Sequence, residues 1–256
     1  MDPALAGGLL AAGALAHLAA AWVRARPSGE PVPARAAFQQ RWQALHGGYD
    51  PSANFWVRGW LTVVHAMARP LAGRGVAPDA VTWFALWPVA GMLVAAHAGG
   101  RWALLAAALV ALSAVIDALD GAVAALTARH SRWGYLLDSL IDRVADLGYV
   151  TAVVLLGAPL WLGAAVGAVI LLHEYARARG GNAGAGEVGA VTVAERPTRA
   201  IVGVLTLVVA GAAPEHAALA AGAGLAVLGA LGLVGLVHLL AVLRGALAGP
   251  GDRGAG

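Results

Sequence analysis

Long apolar runs separated by short polar breaks make up most of the chain. Residues 4–23, 79–98, 102–125, 134–156, 160–178, 197–213 and 217–243 each approach or exceed the roughly 17–25 residues that a helix needs to cross a bilayer. The breaks carry turn signals: Gly99-Gly100, Gly157-Ala158-Pro159 and Pro214. The pattern predicts an all-α polytopic membrane protein, with a six-helix transmembrane core over 75–245 and an additional N-terminal transmembrane helix over 1–26. Asp2 and the lack of any basic residue ahead of the first run favour a retained span with its N-terminus outside over a cleaved leader. Residues 27–53, with Pro27, Pro31, Pro33, Gly47, Gly48 and Pro51, read as a cytoplasmic linker, and 246–256 as a flexible cytoplasmic tail. Residues 54–74 follow a different rhythm. Phe55, Trp56, Trp60, Leu61 and Val64 are interleaved with Arg58, His65, Arg69 and Arg74, which predicts an amphipathic juxtamembrane helix lying in the membrane interface.

One stretch breaks the apolar rule. Asp117, Asp120, Asp138 and Asp142 fall inside sequence that is otherwise fit for lipid, where an uncompensated carboxylate costs several kcal/mol, about 2.5–3.5 at a helix centre. On helices, Asp117 and Asp120 are i and i+3, and Asp138 and Asp142 are i and i+4, so each pair shares a face. The polar link Arg129-His130-Ser131-Arg132 lets the two helices run antiparallel and brings the carboxylates together. Four such charges repel or take up protons unless they surround hard divalent cations, and an all-oxygen set suits Mg²⁺ or Mn²⁺, with the number of ions, one or two, left open by the spacing. Gly121, Ala124 and Gly134 leave the inner surface of this hairpin bare, so that a phosphate-bearing group can approach the backbone.

Composition narrows the classes further. The 256 residues are 60% hydrophobic and 12% charged, with 35 Gly and no Cys, which excludes disulfides, cysteine nucleophiles and thiolate metal sites. All 17 basic residues are Arg, and the net charge of +3 is too mild, and too confined to short loops, to indicate nucleic-acid binding. Arg58, Arg69, Arg74, Arg129, Arg132, Arg177, Arg179, Arg196, Arg199 and Arg244 fall on one side of the predicted spans and Arg101 on the other, so the first side is assigned to the cytoplasm. The carboxylate hairpin opens to that side.

The order Asp117-x-x-Asp120-Gly121-x-x-Ala124, followed by Gly134-x-x-x-Asp138-x-x-x-Asp142, resembles the signature of the CDP-alcohol phosphotransferases (CDP-alcohol phosphatidyltransferases). The resemblance implies a cell-membrane enzyme, active site facing the cytoplasm, that moves the phosphatidyl group of CDP-diacylglycerol to a small alcohol acceptor with release of CMP. It also implies the roles: Asp117, Asp120, Asp138 and Asp142 at the metal, and Asp142 as the catalytic base. Asp79, Thr82, Gly121, Ala124, Arg129, Ser131 and Gly134 fall to the CDP-lipid, Asp79 and Thr82 because Pro78-Asp79-Ala80-Val81-Thr82 resembles the family's Pro-Asn-x-x-Thr segment. Where the family usually carries Arg after the Ala, this chain has Ala125, and Arg129, a turn later, is a candidate substitute.

A second polar cluster lies at Tyr175-Ala176-Arg177-Ala178-Arg179 and Glu195-Arg196-Pro197-Thr198-Arg199, on either side of a loop, 180–189, expected to be flexible. Arg177, Arg179, Arg196 and Arg199 are suited to an anion, because guanidinium pairs with phosphate in bidentate fashion; the same charges also serve as topology markers. The stretch resembles segments of family members that use a phosphorylated acceptor, such as the phosphatidylinositol phosphate and phosphatidylglycerophosphate synthases, so an inositol phosphate or glycerol phosphate acceptor is expected. Arg143 and Asp146, at i and i+3, are expected to neutralise each other, and His17, His97 and His238 to be packed rather than catalytic. A small-residue face at Gly224, Gly229, Gly232 and Gly235 makes a homodimer the expected assembly. Alternatives that use the same carboxylates are a Mg²⁺-dependent prenyltransferase, an ion or proton transporter, and a degenerate relative without activity.

Overall fold

The computed structural model describes residues 2–27, 29, 31–45, 48–185 and 192–248. Among these the regular structure is helical: α1 Pro3–Arg24, α2 Arg35–Leu45, α3 Phe55–Arg74, α4 Pro78–Phe84, α5 Leu86–Ala98, α6 Trp102–Thr127, α7 Arg132–Leu155, α8 Leu160–Gly180, α9 Arg196–Ala212 and α10 Ala217–Leu247. Four segments, Pro3–Arg24, Pro78–Ala98, Trp102–Thr127 and Pro214–Leu247, are long and apolar enough by themselves to cross a membrane. The chain divides into two compact units, 1–94 with 111–145 and 95–110 with 146–256.

In the first unit α3 is the amphipathic helix that its sequence predicts. Asn54 caps it, its side-chain oxygen accepting from Trp56 N at 2.9 Å, and Gly75, at φ 75°, ends it in the left-handed conformation that suits glycine. Leu61, Val64, Ala68 and Ala72 are buried, whereas Trp56, Trp60, Val63 and Met67 are exposed along the opposite stripe. The buried stripe joins one apolar cluster with Ile116, Leu119 and Val123 of α6 and Leu137 and Ile141 of α7, and so fixes the ends of the carboxylate hairpin.

The linker expected at 27–53 is not featureless. It contains α2, anchored by Phe38, which is wholly buried and stacks 5.4 Å from the His65 ring of α3. His65 Nε2 in turn donates to Pro33 O at 3.2 Å. A run of eleven residues with mixed polarity gives no clear period, so the docking on α3, and not propensity, decides this helix. α1 is tied to the same unit by polar contacts at its inner face: His17 Nε2 donates to Ala80 O at 2.9 Å, and the Arg74 guanidinium stacks 4.0 Å over the Trp22 ring. Its other faces expose Leu5, Leu9, Leu15, Leu18 and Val23, as a lipid-facing helix does.

The span expected at 79–98 is interrupted at Ala85. Pro88 has no N–H to return to Phe84 O, so the helix tightens there, with Ala85 N bonding Thr82 O at 3.1 Å.

In the second unit α10 packs on α8 and α9 through glycines. A Cβ on Gly224 would collide with Thr206 of α9, one on Gly232 would come within 3.0 Å of Val169 and one on Gly229 within 3.1 Å of Val166, both on α8. The face expected to mediate a dimer is therefore spent inside the chain. A single π turn, Gly181–Ala185, follows α8. Of the loop expected to be flexible, 186–189 lie outside the described residues, as do 249–256 of the expected tail.

Candidate active site

Helix α6 ends at Thr127, Ala128 takes a left-handed φ of 53°, and α7 begins at Arg132. Ser131 caps α7, its hydroxyl oxygen accepting from Gly134 N at 2.8 Å. Within this tight link α6 presents Asp117 and α7 presents Asp138 and Asp142 so that one carboxylate oxygen from each lies within 4.8 Å of the others. All three are half-buried. A Mg²⁺ or Mn²⁺ ion binds oxygen at about 2.0–2.2 Å, so oxygens at this mutual separation can share one ion, and the residues present fit a hard divalent cation.

Asp120 stands apart from that triad. It is 6% exposed and lies beside Thr82 of α4, whose hydroxyl donates to Pro78 O at 3.2 Å. Asp120 lies one turn beyond Asp117 on α6 and within reach of the charges of Asp138 and Asp117, but it falls outside the group of three whose oxygens converge.

The expected donor-binding positions gather around the hairpin mouth. Asp79 Oδ1 and Ser131 Oγ lie 3.2 and 3.0 Å from where a Gly134 Cβ would be, so only glycine fits between α4 and α7 without displacing them. Gly121, by contrast, faces open space, with nothing within 4 Å of its Cβ position, and Ala124 is half-buried on the same helix. Asp79 is not the cap of α4, a place held by Ala77, but sits in its first turn, where a negative charge complements the helix dipole. Arg129 is engaged elsewhere: its Nη1 donates to Gly75 O and its Nη2 to Arg26 O, each at 3.3 Å.

The arginines of the second cluster are far less free than their sequence suggests. Arg199, 2% exposed, donates Nη1 to Asp146 Oδ2 at 2.5 Å, Nη2 to Glu174 Oε1 and Nε to Ala194 O at 2.8 Å. Arg177 donates Nη2 to Glu195 Oε1 at 2.6 Å and lies 3.9 Å from Glu174. Thr192 N and Oγ1 both donate to the same Glu195 oxygen, at 2.9 and 3.0 Å, and Thr192 Oγ1 lies 3.1 Å from Nε2 of the buried His173. Arg179 is exposed and Arg196 half-buried. The network ties α7, α8 and α9 with the segment before α9 into one polar core, and Arg177 and Arg199 spend much of their charge on it. Asp146, expected to pair with Arg143, meets Arg199, 53 residues along the chain, and Arg143 Nη2 lies 3.6 Å from Asp142. The signal was present, because a carboxylate on an apolar face demands a cation, but helical spacing offers only the local candidate.

An all-helical membrane protein with a carboxylate triad set for a divalent cation at a glycine-lined hairpin defines a metal-dependent transferase of phosphate-linked groups within the bilayer. The chain belongs to the CDP-alcohol phosphatidyltransferase family, which it matches over residues 75–243. It is 34% identical over 146 residues to the phosphatidylinositol phosphate synthase of Cutibacterium acnes, covering 54% of this chain and 70% of that protein. It is 32% identical over 143 residues to the archaetidylinositol phosphate synthase of Pyrococcus horikoshii, covering 53% and 71%. The fold is that of the Mycobacterium tuberculosis phosphatidylinositol phosphate synthase with CDP-DAG bound, at a TM-score of 0.58 and 24% identity over 73% of this chain and 97% of that one. The same protein in complex with manganese and citrate superposes with a TM-score of 0.59 at 23% identity, over 72% and 91%. The expected enzyme class and fold are borne out; the prenyltransferase and transporter readings fall away.

Proposed function

We propose that this protein transfers the phosphatidyl group of CDP-diacylglycerol to a hydroxyl of a phosphorylated polyol, an inositol phosphate in the first instance, and releases CMP. The observation that carries the reading is the Asp117–Asp138–Asp142 triad within the family's spacing. The named activities of the relatives from Cutibacterium acnes and Pyrococcus horikoshii support the inositol phosphate acceptor.

Asp117, Asp138 and Asp142 would hold the divalent cation, with Asp120, buried against Thr82, reinforcing the negative site from behind. When bound, Mg²⁺ or Mn²⁺ supplies charge neutralisation for the donor's diphosphate and for the leaving CMP. Asp142, 18% exposed, takes the proton of the acceptor hydroxyl as its oxygen forms a bond to the lipid-linked phosphorus and the bond from that phosphorus to CMP breaks. Gly121 lets the donor's phosphates approach the backbone, and Asp79, beside Gly134, with Thr82 on the same helix, contributes to binding the CDP-lipid. Arg179 and Arg196, with what charge Arg177 retains, bind the acceptor's phosphate; Arg199 orders that cluster from within. The arginine bias of the loops supports a site at the cytosolic face of the cell membrane. If the chain assembles as a homodimer, it does so through a surface other than the α10 glycines.

The test offers purified protein labelled CDP-diacylglycerol with Mg²⁺ and, separately, inositol phosphate, inositol, glycerol phosphate and serine, and identifies the product lipid by mass. A phosphatidylinositol phosphate product is expected; CMP release with only an unphosphorylated acceptor would overturn the acceptor assignment.

A further inference from the structure

The hairpin concentrates negative charge, and the donor proposed above brings a diphosphate to it. Of the arginines near at hand, Arg129 has both terminal nitrogens on the carbonyls of Gly75 and Arg26, and Arg143 lies 3.6 Å from Asp142. A further guanidinium reaches the hairpin from outside the family-matched residues 75–243. Arg41 of α2 donates Nη1 to Ala125 O at 2.8 Å, with Leu126 O at 3.5 Å, in the last turn of α6. Its Nη2 and Nε make no hydrogen bond among the described residues, and the side chain is exposed. Ala125 lies one turn, about 6 Å along the axis, beyond Gly121 and next to Ala124, the bare positions of the hairpin.

The approach of α2 depends on the smallness of residue 125. Ala125 is 2% exposed and shares its apolar cluster with Phe38, the residue that anchors α2. A long side chain at 125 would occupy the space that α2 fills. An exposed guanidinium pinned at one nitrogen is preorganised: little rotamer freedom is left to lose when its other nitrogens meet phosphate oxygens.

We infer that Arg41 is a donor-contacting residue, held at Nη1 by the α6 carbonyls and presenting Nη2 and Nε to the phosphates of the metal-bound CDP-lipid. The N-terminal extension therefore completes the binding site and is not only an added anchor. This inference rests on the donor reading of the preceding section, and α2 and Ala125 are its own evidence.

The test compares wild type with Arg41→Met, Arg41→Gln and Arg41→Lys, in detergent. It measures CDP binding in the presence of Mn²⁺ by calorimetry, KM for CDP-diacylglycerol and for acceptor separately, and thermal unfolding. Arg41→Met and Arg41→Gln are expected to weaken CDP binding about 10- to 100-fold, the loss of a charge-assisted hydrogen bond. KM for the donor should rise in step, with KM for the acceptor unchanged. Arg41→Lys should recover part of the loss. Gln keeps an N–H for Ala125 O and so separates the cap from the charge, even if Met unfolds the protein. A wild type that binds CDP while folded Arg41→Gln binds it equally well overturns the inference and leaves the donor reading standing. A wild type that binds no CDP overturns both.

Discussion

Asparagine at position 138 or 117 keeps the size of the side chain and removes its charge, so it isolates what the triad contributes. Asp138→Asn and Asp117→Asn are expected to abolish Mn²⁺ binding, read by electron paramagnetic resonance, and to cut CMP release by at least about 100-fold without unfolding the helices. Asp142→Asn should lower CMP release by about 10²–10⁴-fold, as loss of a general base does, and CMP release that is unchanged would remove it from that role. A different residue-scale effect belongs to Arg199. With Asp146 wholly buried and Arg199 2% exposed, Arg199→Met removes the ion pair from a buried carboxylate and should destabilise the second unit by about 3–5 kcal/mol. Adding Asp146→Asn should return part of that stability, which thermal unfolding of single and double variants measures. The spacing of the aspartates was legible from sequence because helical periodicity sets which carboxylates share a face. The deeper burial of Asp120 beside Thr82 was not, since it follows from how another helix packs on α6, and the Arg199 network was not, since its partners come from α7, α8 and the segment before α9.

At the scale of elements, helix lengths followed from the apolar runs to within a few residues, because a membrane span is set by composition more than by context. Two features escaped. The break at Ala85 comes from a proline that the apolar count ignores, and α2 exists because Phe38 finds a pocket on α3. The glycines of α10 show the same limit in another form. A small-residue face announces close helix approach but not which helix approaches, and here the partners are α8 and α9 of the same chain. Gly224→Leu, which would drive a side chain into Thr206, should therefore lower the thermal stability of the solubilised protein at any concentration. A dependence of that loss on protein concentration would instead mean that this face lies between two chains.

A cytosolic acceptor requires one orientation of the whole molecule in the membrane. The chain has no cysteine, so single cysteines report topology cleanly. Glu215, whose side chain is 68% exposed between α9 and α10, becomes a label site for a membrane-impermeant maleimide in intact cells after Glu215→Cys. Arg132→Cys, at the hairpin link, should react only once the membrane is opened; the reverse pattern would put the carboxylate site on the wrong face for a cytosolic acceptor.

The central claim is that the Asp117–Asp138–Asp142 triad holds a divalent cation for cleavage of a CDP-linked lipid, and CMP release by the purified protein from CDP-diacylglycerol with inositol phosphate tests it most directly. The account predicts CMP formed in step with a phosphorylated inositol lipid, abolished by a chelator, restored by Mg²⁺ or Mn²⁺, and absent in Asp138→Asn. Release that proceeds equally in excess chelator, or in folded Asp138→Asn, would contradict it.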